Sequence, residues 1–189
     1  MNILIEIILT KIKEKFDNDN KRLNHILGVH RKAIELSRLY KVDIEKTQIA
    51  SLLHDYTKNE SLDFHLSVLD KKNIDKYKLA PFFYHALSTA VVIQKEFDIK
   101  NRQILSAIKK HVWGSIKMNK LDKIIFISDK IEHNRTYENV NYLRKLSLEN
   151  LDKTIYFFLK FTFLYYKEKK FRIFPEQLEI FKFFKNKIE

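Results

Sequence analysis

Ile49-Ala50-Ser51-Leu52-Leu53-His54-Asp55-Tyr56-Thr57-Lys58 is the stretch on which the reading of this chain turns. An apolar helical run ends in a histidine and a carboxylate, and a lysine follows one turn after the histidine. Neighbouring residues on a helix project in different directions. His54 and Asp55 therefore serve one cluster only if something sits between this helix and the helices packed on it. Imidazole and carboxylate together suit divalent transition metals rather than calcium. The pair thus predicts further His and Asp ligands elsewhere, each on the inner face of its own helix.

Working outward, His25 follows Arg22-Leu23-Asn24, and His85 opens His85-Ala86-Leu87-Ser88-Thr89-Ala90. His111 ends the periodic segment from Ile104 to Lys110, and Asp129 closes Ile124-Ile125-Phe126-Ile127-Ser128. Each falls where an apolar helical face meets a polar residue. Any one of them alone is an ordinary core histidine or helix-end acid. The ordered set H…HD…H…H…D carries more, because five helices must each supply a ligand type at a buried end.

The rest of the chain supports an all-α reading. Gly and Pro occur only twice each, and helical spacing dominates. Leu23, Ile26, Leu27, His30, Ala33, Ile34 and Ser37 follow the i, i+3, i+4, i+7 pattern. Similar stripes run through Ala86–Phe97, Ile104–His111, Leu121–Ser128, the aromatic-rich Leu151–Thr162 and Leu178–Phe184. Asp43 is placed to cap the helix that ends in His54-Asp55, with Lys46 at the third position instead of an acid. Asp70–Pro81, charged and ended by Pro, and His111–Lys120, which holds Gly114, are expected to be irregular. No repeat or linker divides the sequence. We therefore expect one domain over residues 1–189, with its core over about 20–175 and both terminal helices packed on it. The apolar Ile3–Leu9 is short and interrupted by Glu6, which predicts an amphipathic first helix rather than a leader or membrane span.

There is no cysteine, so thiolate metal sites and disulfides are excluded, consistent with a reducing cytoplasm. Lys and Arg number 36 against 24 acids, a net charge of +12. Most of the excess is lysine spread along a chain rich in Ile, Asn and Phe, as AT-rich coding sequence produces. It reads as solvated faces, and no specific nucleic-acid partner is expected. The scarce arginines say more: Arg22, Arg135 and Arg172 fall inside motif segments, and guanidinium binds phosphate through two parallel hydrogen bonds.

The set resembles the HD-domain metal-dependent phosphohydrolases. Arg22-Leu23-Asn24-His25, His54-Asp55-Tyr56-Thr57-Lys58, His85-Ala86, His111-Val112-Trp113-Gly114 and Ser128-Asp129-Lys130-Ile131-Glu132-His133-Asn134-Arg135 narrow the resemblance to the YqeK family. It extends through Phe171-Arg172-Ile173-Phe174-Pro175, similar to that family's nucleotide-contacting loop. It implies an HD helical bundle that hydrolyses diadenosine tetraphosphate symmetrically to ADP with bound iron, for which manganese or cobalt can substitute. Carried over residue by residue, it implies one metal held by His25, His54, Asp55 and Asp129. His85 and His111 hold a second metal with Asp55 bridging, or touch phosphate if one ion binds. Asp55 and Lys58 take catalytic roles. Arg22, Asp55, Lys58, His85, His111, Asp129, Arg135, Arg172, Ile173, Phe174, Pro175 and Gln177 contact substrate. A homodimer is compatible with the aromatic run Tyr156–Tyr166, which serves as core or as a dimer surface. Three positions depart from the family pattern: Lys130 stands for an aromatic residue, His133 for a proline and Phe174 for a histidine. They leave the metal set intact and bear on base or phosphate recognition. The metal set alone does not separate diadenosine tetraphosphate from mono-, tri- or cyclic dinucleotides. A non-catalytic nucleotide- or RNA-binding protein with a vestigial site would be expected to lose ligands.

Five further residues complete the expectations. Trp113 is either a base-stacking surface or core. His30 is a core histidine, and His65 and His133 are exposed, His133 near Asp129. Arg135, six residues after Asp129, need not approach the metal.

Overall fold

The computed structural model describes residues 3–189. Among the described residues eleven α-helices run in order: α1 (Ile3–Lys15), α2 (Asn20–Tyr40), α3 (Ile44–Leu53), α4 (Leu62–Val68), α5 (Lys71–Tyr77), α6 (Tyr84–Glu96), α7 (Arg102–Lys110), α8 (Lys120–Ile131), α9 (Val140–Ser147), α10 (Leu151–Glu168) and α11 (Pro175–Asn186). A 3-10 turn, Pro81–Phe83, leads into α6. Among the described residues there is no strand, and no helix is long and apolar enough to cross a membrane.

With so little glycine, helix boundaries are written in Asp and Asn. The first free N–H groups of a helix need acceptors. Asp19 accepts from Arg22, Asp43 from Lys46, Asn101 from Gln103 and Ile104, and Asn150 from Lys153. Asn119 and Asp122 form a reciprocal capping box at α8. The Asp43 cap is the one expected from sequence. The stretch Asp70–Pro81, expected to be irregular, is not. Asp70 caps α5 by accepting from Asn73 N, Ile74 and Tyr77 pack on the core at helical spacing, and Pro81 opens the 3-10 turn. Its lysine density masked a short apolar stripe. His111–Lys120 has no helix, as expected, and turns at Gly114, whose φ is 80°.

One apolar cluster runs from Ile5 in α1 to Phe184 in α11. α2 lies along α3 and α8; α7 packs against α3, α6 and α8. Ile26, Ala33 and Leu36 on α2, Leu52 and Leu53 on α3, Ile108 on α7 and Ile124 on α8 have no exposed surface. α1 lays Ile5, Ile8 and Ile12 against α3, as an amphipathic first helix should. This packing brings the ends of α3, α7 and α8 and the beginnings of α2 and α6 to one place.

A buried ion pair fixes the α7–α8 junction. Asp122 is wholly buried, accepts from Lys110 Nζ at 2.7 Å and from Asn119 N at 3.0 Å, and sits opposite the residue that precedes His111. Truncation leaves an unpaired ammonium and an open cap. Asp122→Ala is expected to cost about 2 kcal/mol of unfolding free energy. Urea denaturation of the two proteins measures this, and a difference near zero contradicts the role assigned to the pair.

Candidate metal centre

Five helix ends supply the cluster. His25 lies in the second turn of α2, His54-Asp55 directly follow α3, His85 is the second residue of α6, His111 is the C-cap of α7, and Asp129 is in the last turn of α8. All six side chains are buried. Asp55 is the hub. Its Oδ1 lies 3.1 Å from His85 Nε2 and 3.4 Å from His111 Nε2. Its Oδ2 lies 3.6 Å from His54 Nε2 and 3.7 Å from His25 Nε2. Asp129 Oδ1 is 3.1 Å from His25 Nε2. Two groups of donors, His25-His54-Asp55 and Asp55-His85-His111, each have ligand atoms within 4.8 Å of one another, and they share Asp55.

The outer ring nitrogens decide what this cluster can hold. His54 Nδ1 donates to Ser51 O at 2.7 Å, His85 Nδ1 to Phe82 O at 2.6 Å and His111 Nδ1 to Ile108 O at 2.7 Å. His25 Nδ1 faces the Glu132 carboxylate at 3.3 Å. A neutral imidazole that donates through Nδ1 carries its lone pair on Nε2. Four Nε2 lone pairs therefore converge on Asp55. His85 Nε2 and His111 Nε2 stand only 3.1 Å apart, with both protons committed elsewhere, an arrangement that repels unless a cation lies against both. His25 Nε2 and His54 Nε2 are buried with no hydrogen-bond partner. Burial pushes His54 down to about 3 and His85 down to about 4, so both imidazoles are neutral at pH 7. Burial opposes the charge on Asp55, yet the carboxyl is held well below its usual range, with the Arg22 guanidinium bonded to its Oδ2. Asp129 is held low against its own burial by Lys130, His25 and Arg135. Neutral Nε2 donors around ionised carboxylates, without sulfur, form a donor set that fits a divalent transition metal.

The HD domain profile matches residues 22–134, which contain every member of this cluster. The chain belongs to the HD-domain family. It is 31% identical to the symmetrical bis(5'-nucleosyl)-tetraphosphatase of Staphylococcus aureus over 91% of this chain and 90% of that one. It is also 31% identical to the Bacillus subtilis protein of the same name, over 82% and 84%. A crystal structure from Clostridium acetobutylicum, described as a "predicted HD superfamily hydrolase involved in NAD metabolism", superposes with a TM-score of 0.85 at 26% identity, covering 96% of this chain and 97% of that one.

Behind the HD ligands stands a supporting layer that the sequence reading did not assign. Glu132 is almost fully buried; besides facing His25 Nδ1, it accepts from Asn134 N at 2.7 Å. Carboxylates of this kind orient metal-bound histidines. Gly28 makes room for it: a Cβ there would lie 2.4 Å from Glu132 Oε2. The sequence did hold the signals, an acid three residues after Asp129 and a glycine inside a helix three residues after His25. Thr57 Oγ1 donates to His85 O at 3.0 Å and lies 2.8 Å from both Ser88 Oγ and Thr89 Oγ1. His65, expected to be exposed, is buried instead, with Nδ1 2.9 Å from Ser88 Oγ, because α4 packs on α6. His133 is exposed, as expected, and meets Arg31 rather than Asp129. His30 is partly buried against Ser51 Oγ at 3.0 Å.

Cations ring the HD centre. Arg22 Nη1 bonds Asp55 Oδ2, and its buried Nε has no partner. Lys58 Nζ is 3.3 Å from His85 Nδ1, and burial lowers its ammonium pKa. Lys130 Nζ pairs with Asp129 Oδ2 at 2.6 Å and lies over the Phe126 and Phe158 rings. Arg135, which its sequence separation left free of the cluster or near it, touches Asp129. α8 stops at Ile131 and the chain turns back, so Nη2 reaches Asp129 Oδ1 and Nε reaches Asp129 O, both at 2.9 Å. The late loop lies elsewhere. Arg172 sits over the Phe174 ring, Phe174 packs on Trp113 with the rings tilted by 34°, and Ile173 and Pro175 flank it in sequence. Gln177 Oε1 accepts from Phe174 N at 3.0 Å and so caps α11. Trp113 is buried, as the core reading has it. It packs on Tyr77, Phe82 and Phe83 in the core and lines a cavity of about 280 Å³ with Arg172 and Phe174.

Two outcomes follow. Glu132→Gln and Gly28→Ala should each weaken metal affinity roughly 10- to 100-fold with the ligands intact, as read by chelator competition; unchanged affinity in both removes Glu132 from the site. Second, the metal-free protein should lose stability on acidification. An unfolded histidine binds a proton at ~6.5, whereas His54 and His85 in the fold do so only near 3 and 4. The unfolded state thus holds more protons in that window, and stability falls as pH drops through it, by about 1.4 kcal/mol per group per unit. The low Asp55 and Asp129 add loss of the same sign only further down. A melting temperature that stays constant from pH 7.5 to pH 5 contradicts the neutral, buried assignment.

Proposed function

We propose that this protein is a metal-dependent hydrolase that cleaves diadenosine tetraphosphate symmetrically into two molecules of ADP, with iron as its metal and manganese or cobalt able to substitute. The observation that carries the reading is the convergence of four Nε2 lone pairs on Asp55. Similarity to tetraphosphatases over most of the chain supports the choice of substrate. His25, His54, Asp55 and Asp129 would hold one ion, and His85 and His111 a second with Asp55 shared. A bound divalent metal supplies a water whose pKa is brought from ~15.7 toward neutrality and a Lewis acid for phosphoryl oxygens.

The chain's own residues do the rest. Hydrolysis forms one P–O bond to the oxygen of water, breaks the bridging P–O bond of the central anhydride and releases a proton. Charge grows on the leaving diphosphate as that bond breaks. Lys58, whose burial strengthens its field, neutralises it. Arg22, with a free buried Nε, and Arg135 offer guanidinium forks to phosphate oxygens. Asp55 and Asp129, kept ionised by their neighbours, keep these cations at the site. The Arg172-Phe174-Trp113 group receives one adenine, shaped by Ile173 and Pro175, while Gln177 holds the loop in place. The intact donor set speaks against a vestigial binding protein. The lack of cysteine suits a cytoplasmic enzyme, and the exposed Leu164, Phe171 and Phe183 suit a homodimer.

Chromatography of the products tests the reaction. Protein loaded with iron under reducing conditions should convert diadenosine tetraphosphate to ADP alone, and His54→Ala or Asp55→Ala should lose metal and activity together. ATP plus AMP, or no turnover with iron, manganese or cobalt, overturns the proposal.

A further inference from the structure

The proposed substrate carries a nucleoside at each end, and a central cut needs both arms placed. The Trp113-Phe174 pair accounts for one. A second cavity, of about 580 Å³, opens between α10 and the loop before α9. Phe158, Phe161, Thr162 and Tyr165 line it from one face of α10; Tyr137 and Asn139 line it from the loop.

Three observations connect this groove to the metal centre and to a nucleoside. The first is its position. Tyr137 Oη donates to Lys130 O at 2.9 Å, and Lys130 pairs with Asp129 while lying over Phe158, a wall of the groove. The groove therefore borders the Asp129 side of the cluster, whereas Trp113 follows His111 on the other. Lys169 lines this groove and Arg172 the cavity beside Trp113, so the two residues lie on the single connection between α10 and α11. The second is its surface. Tyr137 and Tyr165 are exposed and Phe158 and Phe161 partly so, and Lys169, Glu138 and Glu168 complete the lining. Flat aromatic faces beside a cation are what a base and its phosphate select. The third is a polar side chain with no structural duty. Asn139 occupies the N-cap of α9 in the left-handed conformation, φ 67°, yet its carboxamide makes no capping bond. It stands at the rim with a donor and an acceptor to offer a base edge. The volume lies in the range of small-molecule sites.

We infer that this groove is the subsite for the second nucleoside of the dinucleoside polyphosphate, with Tyr137, Phe158, Phe161 and Tyr165 as its stacking walls, Asn139 at its rim and Lys130 meeting the adjoining phosphate. The inference rests on the reaction proposed above. It explains how a single chain grips a two-ended substrate with its middle over the metals. It also gives a role to Lys130, a departure from the family pattern.

The test compares two substrates with the metal-loaded enzyme: diadenosine tetraphosphate, and adenosine 5'-tetraphosphate, which has the same phosphate chain but only one nucleoside. Thr162→Phe fills the groove, and Phe161→Ala and Tyr165→Ala remove its faces; none of the three touches the metal cluster. We expect each variant to lose roughly 10-fold in kcat/KM for the dinucleotide, the scale of one lost base–aromatic contact, while cleavage of adenosine tetraphosphate to ADP and pyrophosphate is unchanged. Parallel losses on both substrates, or no loss on either, overturn the subsite and leave the reaction standing. A wild-type enzyme inert on the dinucleotide overturns both.

Discussion

Everything in this structure is arranged around one buried carboxylate that faces four imidazole lone pairs. Asp55 sits within 3.1–3.7 Å of the Nε2 atoms of His25, His54, His85 and His111. Without a cation this is a costly cluster: two Nε2 atoms are buried without a partner, and two others face each other at 3.1 Å. A polar group removed from water without a hydrogen bond costs several kcal/mol. The fold tolerates the cost because the outer edge of every ring is tied to backbone or carboxylate, so the lone pairs have nowhere else to point. Binding a metal then relieves the strain of the site, which links metal affinity directly to folding free energy.

The same constraint explains the packing. A ligand at a helix end can be aimed by the helix without the helix itself crossing the site. Here α6 contributes from its first turn and α2 from its second, α3, α7 and α8 from their C-terminal ends. Three of the Nδ1 hydrogens are taken up by carbonyls three residues earlier in the chain: Ser51 for His54, Phe82 for His85 and Ile108 for His111. A helix end thus supplies both the ligand and the group that orients it. His25, farther inside its helix, has no free carbonyl to use and takes Glu132 instead, which is why Gly28 must be small.

Much of this was legible in the sequence, and the rest was hidden for definable reasons. The His and Asp set at the ends of apolar runs gave the helices and the cluster, because burying a polar group beside an apolar stripe leaves a pattern in one dimension. Asp43 announced its cap for the same reason. α5 was obscured because its two packing residues, Ile74 and Tyr77, are diluted by lysines that cost nothing on an exposed face. His65 was misplaced and the approach of Arg135 left open because neither is governed by helical spacing. Arg135 is returned to Asp129 by a turn after α8, and His65 is buried by the docking of α4 on α6. Glu132 was quoted as motif but given no role, since the support of one ligand by a residue 107 positions away depends on tertiary approach.

The central claim is that the lone pairs around Asp55 hold metal. Anomalous diffraction from crystals of the protein purified without chelator, recorded on both sides of the iron absorption edge, tests it most directly. The account predicts anomalous density beside Asp55, between the Nε2 atoms of His25 and His54 or against those of His85 and His111. Crystals that show no anomalous density there after loading with iron, manganese or cobalt, with the histidine rings still in place, would contradict it.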